Sequence, residues 1–167
     1  MLTLLTPNMV VNTLYDIKIA ELKQQGICGI AFDLDNTIVP WNSQEICPEV
    51  LAWLNSLALQ EFKLCLVSNN SKGRVSKVAQ QCNIPFVAKA LKPSRSGFRQ
   101  AAQTMGLPPA NVAVVGDQLF TDILGGNRLG MVTVWVKPLT TTEFVGTKIT
   151  RQLEKLAVRL LKAAGRI

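Results

Sequence analysis

The stretch Ile27-Cys-Gly-Ile-Ala-Phe-Asp-Leu-Asp-Asn-Thr37 begins apolar and ends acidic. An apolar run of this length, Ile27 to Leu34, reads as a strand buried on both faces, which is the habit of parallel sheets. Asp33 and Asp35 stand at i and i+2 at its carboxyl end. Two carboxylates so close are costly unless a cation or a proton neutralises them. Further strands are predicted at Lys63 to Ser68, Phe86 to Ala88, Val112 to Val115 and Met131 to Val136. Between them, helices are predicted over 11–25, Pro48 to Leu59, 72–82, Ser94 to Met105, Asp122 to Leu129 and 150–165. Strands alternating with helices imply an α/β domain, with a mostly parallel central sheet covered on both faces in three layers. The 167 residues fit one domain, 1–167, with a core over about 27–137.

Ligands of such sheets bind where strands end, and the polar residues able to do chemistry fall at those ends. After the second predicted strand comes Ser68-Asn69-Asn70, a hydroxyl and backbone N–H groups at a strand-to-helix turn. Such a turn can hold a phosphate, or simply cap a helix. Lys92 stands before Pro93 and a helix start, as a point cation or as a solvated lysine. The fourth predicted strand ends Gly116-Asp-Gln-Leu-Phe-Thr-Asp122, where the glycine admits close backbone approach and two further carboxylates follow. Asp122 also suits a helix N-cap.

Composition narrows the class. Apolar residues are 48% of the chain, which excludes disorder, and the formal net charge of +7 favours anionic partners. Histidine is absent and the four cysteines, Cys28, Cys47, Cys65 and Cys82, form no CxxC pair, so a cysteine–histidine zinc site is excluded. Cys28 and Cys65 lie in strand-like runs and are expected as reduced core thiols. The amino terminus lacks a basic region and a long apolar run, and no stretch approaches the ~18–20 apolar residues of a spanning helix. A cytoplasmic protein is expected, peripheral at most to the inner face of a membrane.

The ordered set Asp33-x-Asp35-x-Thr37, Ser68, Lys92 and Gly116-Asp117…Asp122 resembles the haloacid dehalogenase (HAD) superfamily, over roughly residues 27–137. The resemblance implies a Rossmann-like phosphatase fold and an Mg²⁺-dependent phosphomonoesterase with Asp33 as nucleophile. It further implies Asp35 as general acid and base. Metal ligands are then the Asp33 carboxylate, the Asp35 backbone carbonyl and Asp117, with Asp122 assisting directly or through water. Ser68, Lys92 and backbone N–H groups hold the phosphoryl oxygens, Asn69 adds a contact, and Thr37 orders the loop.

About thirty residues separate Thr37 from Ser68, and fewer separate Ser68 from Lys92. There is no room for the cap domain that many superfamily members insert, so a capless, open site is expected, suited to substrates whose bulk stays outside. In detail the chain is similar to the subclass IIIA phosphatases, the YqeG-like group and the phosphatidylglycerophosphate phosphatases. Trp41, Ser68-Asn-Asn70, Lys92-Pro93, Gly116 to Asp122, and Thr147 to Arg151 followed by Leu153-Glu154 carry that similarity. It implies a phospholipid head group as substrate, phosphatidylglycerophosphate. A soluble phosphate ester, or an Mg²⁺-binding regulatory role without turnover, are the alternatives.

On a ~100° per residue wheel, Arg151, Lys155, Arg159, Lys162 and Arg166 share one face of the last helix. Leu153, Leu156, Leu160 and Ile167 lie opposite. Such a helix either docks on an anionic membrane or packs its leucines on the sheet. No aromatic–basic interleaving points to nucleic acid, and none is expected as a partner.

Overall fold

The computed structural model describes residues 2–140 and 145–167, with the backbone alone for 145–151. Its strands are β1 (Met9–Val11), β2 (Gly29–Phe32), β3 (Lys63–Val67), β4 (Phe86–Val87), β5 (Val112–Gly116) and β6 (Val132–Val136). They form one sheet in the order β1-β6-β5-β2-β3-β4, and every pairing is parallel. The helices are α1 (Leu2–Leu5), α2 (Ile19–Gln24), α3 (Pro48–Leu59), α4 (Lys72–Cys82), α5 (Arg95–Thr104), α6 (Leu124–Asn127) and α7 (Val145–Ala163).

Side-chain alternation along the strands divides the core. Ile30 and Phe32 of β2, Leu64 and Leu66 of β3, and Ala113 and Val115 of β5 face a cluster closed by α3 and α4 through Val50, Leu54, Leu57, Val75 and Val78. Ala31, Cys65, Val67, Val112 and Val114 face the other side, where α5 presents Phe98, Ala101 and Ala102. Period-2 strands with apolar residues on both faces thus produce the three layers. A third cluster joins Leu5 of α1, Leu119, Ile123, and Ala157 and Leu161 of α7. The segments that could have held a cap are a loop before α3 and the single helix α4.

The chain runs from β2 outward through β3 to β4, then crosses back to place β5 on the other side of β2. The direction of winding reverses between β2 and β5, the switch point at which such sheets form a crevice at the carboxyl ends of their strands.

Four expectations are corrected. Residues 11–25 do not form one helix: Met9–Val11 pairs with Val134–Val136 as an edge strand, a 3₁₀ turn follows at Leu14–Asp16, and the helix starts only at Ile19. Val11, Leu14, Ile17 and Leu22 are all buried as their spacing suggested, but the β-branched pair Val10-Val11 favours the sheet. Asp16 then closes the strand by accepting from the Thr13 N–H and hydroxyl, both at 2.9 Å. The acid pair consequently follows the second strand, and the sheet has six. The helix expected from Asp122 begins earlier, as a π-turn over Leu119–Ile123 that runs into α6, so Asp122 lies inside it and is not its N-cap. Cys28, expected in the core, is exposed because β2 begins one residue later. Cys65 and Cys82 are buried, and burial pushes their thiols up to about 12 and about 11.

Candidate active site

The crevice positions the acid pair through backbone pairing. Phe32 is opposite Val115 in the parallel register, and the Asp33 N–H continues the ladder to the Val115 carbonyl at 2.8 Å. Asp33 therefore emerges beside Gly116, with Asp117 next along. The chain then turns tightly. Asn36 has φ 59°, a left-handed conformation that asparagine tolerates better than most residues. Its N–H reaches the Val39 carbonyl at 2.7 Å, and its side-chain oxygen accepts from the Trp41 N–H at 3.2 Å and the Thr140 hydroxyl at 2.8 Å. Thr37 is buried in the same loop, its hydroxyl oxygen meeting no partner among the described residues.

Lys92 arrives from the opposite flank. The Asn69 side chain grips its backbone, accepting from the Lys92 N–H at 2.7 Å and donating to the Lys92 carbonyl at 3.2 Å. Leu91, at φ 55° and exposed, turns outward so that Lys92 turns in. The Lys92 ammonium donates to Asp33 Oδ1 at 2.5 Å and to Asp122 Oδ1 at 2.7 Å. Asp122 Oδ2 accepts from the Gln118 N–H at 3.1 Å, and the Trp135 indole N–H bonds the Asp117 carbonyl at 2.9 Å. Ser68, also buried, accepts from the Asn70 N–H at 3.1 Å.

Asp33, Asp117 and Asp122 are buried, and each offers a carboxylate oxygen within 4.8 Å of the others. Three carboxylates so close and so buried repel one another, and the Lys92 ammonium lies against two of them. Desolvation pushes the Asp33 carboxyl up to about 7; Lys92 opposes that, and Asp122 adds to it. On Lys92 burial favours the neutral amine, yet Asp122 and Asp33 outweigh it and hold the ammonium charged well above the usual range. A hard, all-oxygen donor set of this kind fits a divalent cation of the Mg²⁺ type.

Gly116 is what lets these groups converge. A Cβ there would stand 2.3 Å from Asp122 Cγ and 2.4 Å from its Oδ2. Gly116→Ala is expected to push Asp122 off Lys92 and lower kcat/KM on the order of a hundredfold, with the circular dichroism spectrum kept. A variant of wild-type activity would show that Asp122 need not sit there.

Asp35 is placed differently. Its carboxylate lies in the same loop but receives a two-pronged contact from Arg74 of α4, at 2.7 Å from Nη1 to Oδ2 and 2.6 Å from Nη2 to Oδ1. Arg74 Nη2 also donates to the Ser43 carbonyl at 2.8 Å, and Asn70 Nδ2 donates to Asp35 Oδ2 at 3.1 Å. Sequence reasoning missed Arg74 and Asn70. The faint signal was a cation one turn into the helix that follows Ser68-Asn-Asn70.

Comparison with known proteins gives the family. Residues 90–149 match the HAD-hydrolase-like family. The chain is 36% identical over 161 residues to "Probable phosphatase YqeG" of Bacillus subtilis, covering 96% of this chain and 94% of that protein. It is 30% identical to the chloroplastic phosphatidylglycerophosphate phosphatase 1 of Chlamydomonas reinhardtii, over 93% of this chain but only 62% of the algal protein. Among solved structures, the cobalt-bound deoxy-D-mannose-octulosonate 8-phosphate phosphatase of Haemophilus influenzae shares the fold. Its TM-score is 0.54 at 12% identity, over 68% of this chain and 70% of that one. The similarity to YqeG over nearly the whole chain shows the family, the fold is that of its solved members, and the chain belongs to the HAD-like phosphatases.

Proposed function

We propose that this phosphatase works through a phospho-aspartate on Asp33 and that its substrate is phosphatidylglycerophosphate. The observation that carries the mechanism is the meeting of Asp33, Lys92, Asp117 and Asp122 in the crevice. The substrate rests on the kinship with phosphatidylglycerophosphate phosphatases and on the absence of room for a cap.

Asp33 attacks phosphorus, and the bond from phosphorus to the ester oxygen breaks. Asp35 gives its proton to the departing oxygen. It then takes a proton from water, which attacks the phospho-aspartate, breaks its P–O bond and frees both Asp33 and inorganic phosphate. Lys92 supplies positive charge to the phosphoryl oxygens, and Ser68 a hydroxyl. Asn69, with its carboxamide on the Lys92 backbone, acts by holding Lys92 in place. The Asp33, Asp117 and Asp122 carboxylates, with the Asp35 carbonyl, would hold Mg²⁺, which when bound offsets the repulsion between carboxylate and phosphate.

Arg74 orients Asp35 in this scheme. Arg74→Ala is expected to lower kcat on a soluble aryl phosphate by about 10–100-fold with KM little changed. Arg74→Lys should recover only part, because an ammonium cannot reproduce a two-pronged contact. Full activity in Arg74→Ala would remove it from the scheme.

The substrate is tested by phosphate release from phosphatidylglycerophosphate in mixed micelles, with Mg²⁺ and with EDTA. Magnesium-dependent release is expected. If an aryl phosphate is cleaved and the lipid is untouched, the lipid reading fails and the phosphatase remains. If neither is cleaved, the chain is a regulatory relative.

A further inference from the structure

Helix α7 shows three stripes over its described side chains. Glu154, Ala157 and Leu161 are buried against the third core cluster, with Val158 half-buried beside them. Leu153, Leu156 and Leu160, the stripe that sequence analysis could assign either to the core or to a membrane, remain 56%, 55% and 49% exposed. The packing face is thus a different one, and the leucines form a ridge in solvent. Lys155, Arg159, Lys162 and Arg166 are exposed alongside. The side chain of Arg151, expected on the same basic face, lies outside the described residues. From Gln152 to Ile167 the one acidic residue is Glu154, and it is buried. A groove of about 410 Å³ between α7 and the end of β6 is lined by Lys155, Arg159 and Lys162 with Trp135 and Pro138, and no described residue covers these cations.

We propose that α7 seats the protein on an anionic lipid bilayer. Leu153, Leu156 and Leu160 enter the acyl boundary while Lys155, Arg159 and Lys162 meet the lipid phosphates. Charge decides the occupant. A second copy apposed through the same ridge would bring basic stripe near basic stripe with no exposed acid on this part of the helix to answer it, whereas an anionic surface complements both stripes. No helix among the described residues is long and apolar enough to cross a membrane, so the helix lies in the interface.

The docking element is fastened to the catalytic segment. Glu154 Oε1 accepts the Leu119 N–H at 2.6 Å and the Phe120 N–H at 3.4 Å, inside the turn that carries Asp122. Trp135, in the wall of the groove, bonds the Asp117 carbonyl. The significance of docking for catalysis rests on the lipid-substrate reading; the docking itself does not.

The test is flotation of the full chain with vesicles of phosphatidylglycerol and phosphatidylcholine in equal parts, or of phosphatidylcholine alone, without substrate. Binding to the anionic vesicles only, weakened by salt, is expected. Lys155→Gln/Arg159→Gln/Lys162→Gln should weaken it about a hundredfold. Leu153→Ser/Leu156→Ser/Leu160→Ser should weaken it by at least about tenfold. Both variants should keep wild-type turnover of a soluble aryl phosphate, which shows that the fold is intact. The proposal is overturned if wild type ignores anionic vesicles or if the serine variant binds them equally. It is also overturned if that variant converts an oligomer to a monomer in sedimentation equilibrium with vesicle binding unchanged. Vesicle binding without cleavage of phosphatidylglycerophosphate would sink the substrate reading alone.

Discussion

Asp33→Asn is expected to abolish phosphate release, by at least ~10⁴-fold in kcat, while making the metal-free protein more stable at neutral and alkaline pH. The loss of rate follows from chemistry. A carboxamide of the same shape still accepts from Lys92, as Asp33 Oδ1 does at 2.5 Å, but it is not a nucleophile towards phosphorus. The gain in stability follows from electrostatics. The folded chain raises the Asp33 carboxyl from 3.8 to about 7, through desolvation first. In that window the folded state holds a proton that the unfolded state has released, so stability falls as pH rises. The contribution is whole below the unfolded value and is lost as pH passes the folded one. Asparagine has nothing to lose, so the variant should equal wild type in acid and exceed it above about pH 7. Thermal melts in EDTA across this range measure the difference. Mg²⁺ should then raise the melting temperature of wild type more than that of the variant. A pH-independent difference would show that Asp33 is not strained by its neighbours, and undiminished turnover would place the nucleophile elsewhere.

Legibility in the sequence followed the range of the interactions. The acid pair was readable because it directly follows an apolar run, and Lys92, Asp117 and Asp122 because each falls at a strand end, where such a sheet gathers its chemistry. Helix α3 was readable to its bounds because Pro48 starts it and its apolar spacing is regular. The Arg74–Asp35 pair was not readable. It joins residues 39 positions apart, and its register depends on how α4 settles on the sheet. Residues 11–25 misled because spacings of three and five suit a helix as well as a strand, a turn and a helix in succession. In α7 periodicity found the leucine and basic stripes but not which stripe packs. That was decided by Glu154, whose carboxylate caps the turn at Leu119 and so rotates the leucines outward.

The second large effect concerns Lys92, whose ammonium lies between Asp33 and Asp122 with only 4% of its side chain exposed. Lys92→Met keeps most of the volume and removes the charge. At neutral pH in EDTA the variant is expected to lose roughly 3–5 kcal/mol of stability, the usual consequence of leaving a buried charge without its counter-ion. Aryl phosphate turnover should fall by about 10³-fold, because in the proposed mechanism the same ammonium neutralises the transferring phosphoryl group. The sign with pH is fixed. Burial alone would favour the neutral amine, but Asp122 and Asp33 raise the Lys92 pKa above its ordinary value. Its stabilising share is therefore complete at neutral pH and is lost only as pH rises through that raised value. Acid should narrow the gap between variant and wild type, since the Asp33 carboxyl, already pushed up to about 7, then takes up a proton. Mg²⁺ should narrow it too, by replacing one cation with another among the same oxygens, but it should not restore turnover. Urea titrations at acid and neutral pH, each with and without Mg²⁺, separate these effects. Equal stability of variant and wild type at neutral pH would mean that the fold does not need the Lys92 charge. Recovery of turnover by Mg²⁺ alone would mean that the lysine serves the fold and not the phosphate. If Lys92 serves both, as proposed, its burial has a reason: the ammonium holds the empty crevice folded and is already in place as a positive charge for phosphate.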